Sequence, residues 1–243
     1  MVWVWMGEAP ADEASIPEYR FLDADSGFHI SRRDHVTIQA NVRLVMNNLL
    51  DLSHAPLLHE GILGHEDSIR AEINTEQQDP YFFVVRRMRG VRPGALTDLQ
   101  FRRDGQPIDV VLKMRWSAPC NPLNDSLSSE AGGSATEGAG LYGAHILTPV
   151  DDRTTLYHFA AARHGPPIEG DDELLETIKQ KMSGLRRIAF AQQDEPMIEA
   201  QQRYLDRFPE ARPVLFEVDA GPVRCNRPLD ASIAAEAKVK AST

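Results

Sequence analysis

The apolar positions Val42, Val45, Met46, Leu49, Leu50 and Leu52 recur at spacings that line one face of a helix over about Asn41 to Asp51, and Pro56 breaks that helix near 53–55. Alternating or aromatic-rich runs follow at about 68–74, 81–90, 108–117, 141–149 and 154–162, with Asp151 and Asp152 placed as a hairpin turn between the last two. Five such runs predict an antiparallel sheet. The stretch Ser126 to Gly140, rich in Ser, Gly and Ala, reads as a mobile loop. From Asp171 to about Ile188 the positions Leu174, Leu175, Ile178, Met182 and Leu185 mark a long amphipathic helix, and Asp171, Asp172 and Glu173 suit its N-terminal turn. After Asp194 a renewed helix is expected, with Pro196 in its first turn, running through Gln201 to Arg207 and closed by Pro209 and Pro213. The Ala- and Lys-rich tail from Leu229 reads as a frayed helix or a disordered end. At the other end, Val2 to Met6 alternates Val and Trp as a strand, and Gly7 to Pro17 is its polar exit. That strand has no partner nearby, so it reads as the last strand of a preceding domain, with a truncation boundary there.

Composition narrows the picture. A chain of 243 residues with 42% apolar content can bury an ordinary core, and no apolar run approaches the roughly 18 residues of a membrane-spanning helix. Its 26 Lys and Arg against 36 Asp and Glu give a net charge of −10, which repels phosphate backbones and anionic lipid surfaces. Neither nucleic acid nor a membrane is an expected partner. Cys120 and Cys225 stand far apart without CxxC spacing, so neither a disulfide framework nor a thiolate metal site is expected, and a cytoplasmic setting is.

The chemistry concentrates in residues 47–59, where Asn48, Asp51, His54 and His59 interrupt an otherwise apolar stretch. Two neutral imidazoles plus one carboxylate can hold Fe(II) on one face and leave positions open for oxygen and substrate. His54 and His59 are five apart, so they share no face of a continuous helix, but the break at Pro56 can turn both toward one point. In the alternative, His54 caps a helix and His59 lies on the surface. Asp194 is a candidate third ligand, although Asp before Glu-Pro is equally a routine helix cap. His145 in a strand, and Asn124 just beyond another, either point into the concave side of the sheet to hold a ligand or serve as a core histidine and a turn residue. The remaining histidines show no ligand-like spacing. The chain carries no phosphate-cradling glycine loop, nucleophile motif or basic aromatic patch.

With four ordered blocks, the chain resembles the catalytic domain of Rieske-type non-haem iron oxygenases, in particular the vanillate O-demethylase and dicamba monooxygenase group. Val2 to Gly7 is similar to the closing strand of the family's Rieske domain, and Asn41 to His59 to its Asn-x-x-Asp-x-x-His-x-x-x-x-His segment. Gly143 to Pro149 and Phe190 to Gln202 supply the other two blocks. The resemblance implies His54, His59 and Asp194 as iron ligands, and favours ligation over capping for Asp194. It makes Asp51 the bridge from a ligating His to a neighbouring subunit's cluster, with Asn48 standing near the iron. It also makes Asn124 and His145 the contacts to a substrate carboxylate.

The fold so implied is α+β, an antiparallel helix-grip-like sheet curved around a long C-terminal helix. Residues 1–17 form a remnant of the Rieske domain and linker, 18–228 the iron-binding domain and 229–243 a tail. The expected function is ring hydroxylation or O-demethylation of small aromatic acids or methoxy-aromatics with mononuclear Fe(II) and O2. Electrons pass from a reductase or ferredoxin, and the assembly is a homotrimer. A hydroxylated methyl ether is a hemiacetal that releases formaldehyde, so no hydrolytic base is needed. The chain departs from the pattern in three places. Asn47 stands where Asp is common, Gln193 where Glu is common, and the two Cys and two His that ligate a [2Fe-2S] Rieske cluster are missing. Two other readings therefore stand beside the oxygenase: an incompetent ligand- or iron-binding module of the same fold, and a zinc hydrolase using the same three ligands.

Overall fold

The computed structural model describes residues 3–4 and 10–241. Eight strands among them form one antiparallel sheet: β1 (His29–Ile30), β2 (Asp34–Ile38), β3 (Glu72–Gln78), β4 (Tyr81–Val91), β5 (Ile108–Ser117), β6 (Asn121–Glu130), β7 (Ala139–Asp151) and β8 (Thr154–His164). Their spatial order is β1-β8-β7-β6-β5-β4-β3, and β2 also pairs with β8. The helices are α1 (Val42–Leu50), α2 (Ala55–Leu58), α3 (Ala95–Gln100), α4 (Asp172–Arg187), α5 (Glu195–Arg207) and α6 (Ala220–Ala241). Between α4 and α5 the chain does not leave the helix but passes through a π-helical segment, Ile188–Asp194. The architecture is the α+β arrangement expected from the sequence.

Hydrophobic burial explains the layering. Helix α1 starts where Asn41 accepts a bond from the Arg43 N–H at 3.0 Å, and it buries Val45, Met46, Leu49 and Leu50. These side chains join Val84, Trp116, Tyr157 and Ile198 in the main core, so one cluster unites sheet, α1 and α5. Helix α6 closes the same core with Cys225 and Leu229. It passes so close to β4 and α1 that a Cβ on Gly221 would lie 2.5 Å from Val84 Cγ2, which leaves glycine as the residue that fits.

Several expectations need correction. Strand β6 occupies much of the stretch expected to be a mobile loop, leaving residues 131–138 as the connector. It sits in mid-sheet, paired with β5 from Ser117↔Asn121 to Ile108↔Glu130 and with β7 from Leu123↔Ala144 to Ser128↔Ala139. Its Asn, Asp and Ser side chains hide it from a hydrophobic pattern, yet ladders on both sides satisfy its backbone whatever the side chains are. The helix expected to renew after Asp194 is continuous with α4. The tail from Leu229 is helical as far as Ala241, with Leu229 buried and Arg43 bonded to Asp230 at 2.5 Å. The strand expected over Val2 to Met6 falls mostly outside the described residues; Trp3 and Val4 carry no regular structure, and Trp3 stacks on Tyr19.

One buried cation joins these layers. Arg86 on β4 is 1% exposed and donates from Nη1 to the Leu52 carbonyl at 2.6 Å and from Nη2 to the Ser68 carbonyl at 2.5 Å. The segment between α1 and β3 is thereby tied to the sheet at two points. Replacing Arg86 with Met leaves both carbonyls without their donor, while relieving the burial of a charge. We expect R86M to lose about 2 kcal/mol of stability, read as a lowered midpoint in urea unfolding.

Candidate metal centre

The short α1–α2 connection brings two histidines together from positions that a straight helix would keep apart. His54 ends that connection and His59 follows α2, and their Nε2 atoms lie 3.2 Å from each other. Asp194, from the end of the π segment, places Oδ1 3.1 Å from His59 Nε2 and 3.5 Å from His54 Nε2. The alternatives left open by the sequence do not describe these side chains: His59 is fully buried, His54 makes no capping bond, and Asp194 has helical backbone angles and caps nothing.

The π segment explains how Asp194 arrives. In a regular α-helix, positions eight apart drift off a common face, whereas a wider turn draws them back into line. Arg186, Phe190 and Asp194 accordingly line one cavity together.

The neighbours fix each group's proton. Gln193 Oε1 lies 2.8 Å from His59 Nδ1 and braces the ring so that Nε2 faces Asp194. Asn48 donates Nδ2–H to Asp194 Oδ1 at 3.1 Å. Burial opposes ionisation of Asp194, but hydrogen bonds and charge from His54 and His59 outweigh it and hold the carboxyl down at about 2. Burial likewise opposes a charged His54, and Asp194 and Asp51 outweigh it to lift the imidazole to about 9. A metal therefore competes with a proton for His54. Asp51 Oδ1 accepts from Ser53 N–H at 2.8 Å and from Ser53 Oγ at 2.5 Å, whereas Asp51 Oδ2 stands 3.6 Å from His54 Nδ1. That separation is electrostatic contact rather than a hydrogen bond.

The three donors fit a single divalent metal. Ligand bonds of about 2.1 Å require donor atoms about 3.0 Å apart on an octahedral face or about 3.4 Å apart in a tetrahedron, and the observed edges span that range. Among the described residues, His54, His59 and Asp194 form the one group of three or more His, Cys, Asp or Glu side chains close enough to share a metal. The two thiols are no alternative, because both are buried and burial pushes Cys120 to about 11 and Cys225 to about 12.

A cavity of about 130 Å³ opens beside this group, walled by Leu63, Leu96, Met114, Leu141, Phe159 and Phe190. Its volume approaches the roughly 150 Å³ that accommodates a benzene-sized guest. Asn124 and His145 both reach it from the same sheet face, since Asn124 on β6 pairs with Gly143 and His145 lies two residues further along β7. A Cβ on Gly143 would sit 3.3 Å from Asn124 Cβ and 3.4 Å from His145 Nε2, so the bare glycine keeps that floor open. His145 is a core residue as well as a lining one: Nδ1 lies 2.5 Å from Tyr157 Oη, and burial, reinforced by Arg186, lowers its imidazole to about 4. It is neutral at physiological pH. A larger cleft of about 480 Å³ between β1 and α4 contains none of the candidate residues, so size alone does not locate the chemistry.

Residues 38–235 match the family model described as the vanillate O-demethylase oxygenase C-terminal domain. The chain belongs to this family. It is 29% identical over 245 residues to the oxygenase component of chloroacetanilide N-alkylformylase from Rhizorhabdus wittichii, an alignment covering 99% of this chain and 68% of that one. It is 28% identical over 245 residues to a vanillate O-demethylase oxygenase subunit from a Pseudomonas species, covering 97% and 67%. The structure superposes on dicamba monooxygenase bound to 3,6-dichlorosalicylic acid with a TM-score of 0.79 and 25% identity, over 93% of this chain and 65% of that one. The chain thus spans about two thirds of the length of these family members. Within the family fold, the residues that sequence patterns passed over are Tyr157 and Arg186. Arg186 carried a readable signal, since it continues the apolar stripe Ile178, Met182 at the next turn of α4.

Gln193 offers a direct check. Q193L removes the acceptor that holds the His59 ring, and metal affinity should fall by about 10- to 100-fold. Competition against a coloured chelator measures this, with an unchanged melting temperature excluding general unfolding.

Proposed function

We propose that this chain is the catalytic portion of a non-haem iron monooxygenase, with His54, His59 and Asp194 holding Fe(II). Its reaction is hydroxylation or O-demethylation of small aromatic acids or methoxy-aromatics. The observation that carries the reading is the convergence of two imidazole nitrogens and one carboxylate at the edge of a cavity of about 130 Å³, sized for a single ring. The relatives point the same way, being a vanillate O-demethylase oxygenase subunit and the oxygenase component of a chloroacetanilide N-alkylformylase.

Bound Fe(II) supplies the activation of O2. The chain's own residues do the rest. Phe159, Phe190, Met114 and Leu141 exclude water and pack against the ring. Asn124 and His145 orient its polar substituent, and Tyr157 holds the His145 ring in place. Asn48 and Gln193 keep Asp194 and His59 aimed at one point. Asp51, braced by the Ser53 N–H, lies 3.6 Å from His54 Nδ1 and is the residue through which electrons would reach the site. The donor is a reductase or ferredoxin acting through a Rieske [2Fe-2S] cluster, with a homotrimer as the assembly and the cytoplasm as the setting. No helix among the described residues is long and apolar enough to cross a membrane.

Anaerobic reconstitution with Fe(II), followed by nitric oxide and EPR, tests this directly. The expected result is one iron–nitrosyl signal per chain, perturbed when an aromatic acid is added and abolished in H59A and D194A. A chain that takes up zinc but no Fe(II) under these conditions rules the oxygenase reading out.

A further inference from the structure

Three arginines are almost entirely buried, and two of them donate to backbone carbonyls. Arg86 donates to the carbonyls of Leu52 and Ser68, and Arg163 donates to the carbonyls of Gln100 and Pro166. Arg186 is different. It is 5% exposed and lines the same cavity as Asn124, His145 and the metal-binding group, yet its acceptors among the described residues are two hydroxyls, Ser31 Oγ at 2.8 Å and Ser183 Oγ at 3.3 Å. Its Nε is buried without a partner, as is that of Arg86, but only Arg186 of the three lines this cavity.

No carboxylate among the described residues forms an ion pair with it. Asp34, whose field it feels, is bonded to Arg187 at 2.8 Å, and Asp194 is engaged by His54, His59 and Asn48. Tyr157 is held neutral, because burial drives its phenol well above the ordinary value. Burial lowers Arg186 itself only to about 10, so it remains a cation at neutral pH. A desolvated charge without a counter-ion is costly and is retained where a ligand supplies the missing charge. Neutral His145 cannot play that part.

We propose that Arg186 is the specificity-determining cation of this cavity, and that it selects substrates bearing an anionic carboxylate or sulfonate over neutral ones of the same shape. The proposal rests on the reading of the cavity as the substrate site, and assigns its charge selection to one residue outside the sequence blocks that marked the site.

The test uses the Fe(II)-loaded chain and two isosteric probes, 3-methoxybenzoate and neutral 3-methoxybenzamide, with binding followed by calorimetry. Wild type should prefer the acid by about tenfold or more, the range of a charge-assisted hydrogen bond. R186M should lose that preference while binding the amide within about threefold of wild type, and R186K should keep part of it. Unliganded R186M should melt at the same temperature or higher, because it removes an uncompensated charge. Equal or absent binding of the acid by wild type, or an undiminished preference in R186M, overturns the proposal. So does a lowered melting temperature with both probes weakened alike, the signature of a purely structural arginine. Iron uptake is measured on the same samples. A chain that discriminates between the probes but binds no Fe(II) counts against the oxygenase reading and leaves the role of Arg186 standing.

Discussion

The site depends on the guanidinium of Arg86, a cation placed where water cannot reach it, whose two terminal nitrogens donate to backbone oxygen. Its bonds to Leu52 and Ser68 grip both sides of the loop that carries His54 and His59, so two histidines on irregular backbone gain the rigidity of a central strand. A metal site on a free loop would have to order that loop on binding. Here the ordering is part of folding. Asp51 contributes to the arrangement through its field on Arg86, which offsets some of the burial of that charge.

The second half of the site comes from an independently anchored element. The helix running from Asp172 to Arg207 packs Ile178, Met182 and Ile198 into the core, so its position is set by hydrophobic contacts that do not involve the loop histidines. Only its middle, the π segment, departs from regular geometry, and that is where Phe190, Gln193 and Asp194 stand. The cavity between loop, sheet and helix has apolar walls with polar groups at chosen points. This combination strengthens electrostatic effects inside it and makes each unpaired group costly.

How far the sequence revealed this depends on what kind of signal each part leaves. Helix α1 and the stripe of α4 were legible because hydrophobic periodicity records which face is buried. The histidine pair was legible because polar groups in an apolar stretch need a reason. Strand β6 was not, since a mid-sheet strand bonded on both sides need not be hydrophobic, and its register is recorded in its neighbours. Asp194 was ambiguous for a different reason. Its local sequence suits a cap, and only three-dimensional convergence with His54 and His59 separates a cap from a ligand. Arg186 lay hidden inside a helical stripe, where one charge reads as solvent-facing unless the depth of the helix is known.

The π-helical turn at Ile188–Asp194 has a further meaning when considered as register. A π turn is an α-helix holding one residue more than its hydrogen-bond spacing allows, and each residue of an α-helix rotates the chain by about 100°. Deleting one residue between Ile188 and Gln193 would let the helix relax to regular spacing and sweep Asp194 toward another face. The orientation of the carboxylate is thus stored as a single excess residue, a count along the chain rather than a contact in space.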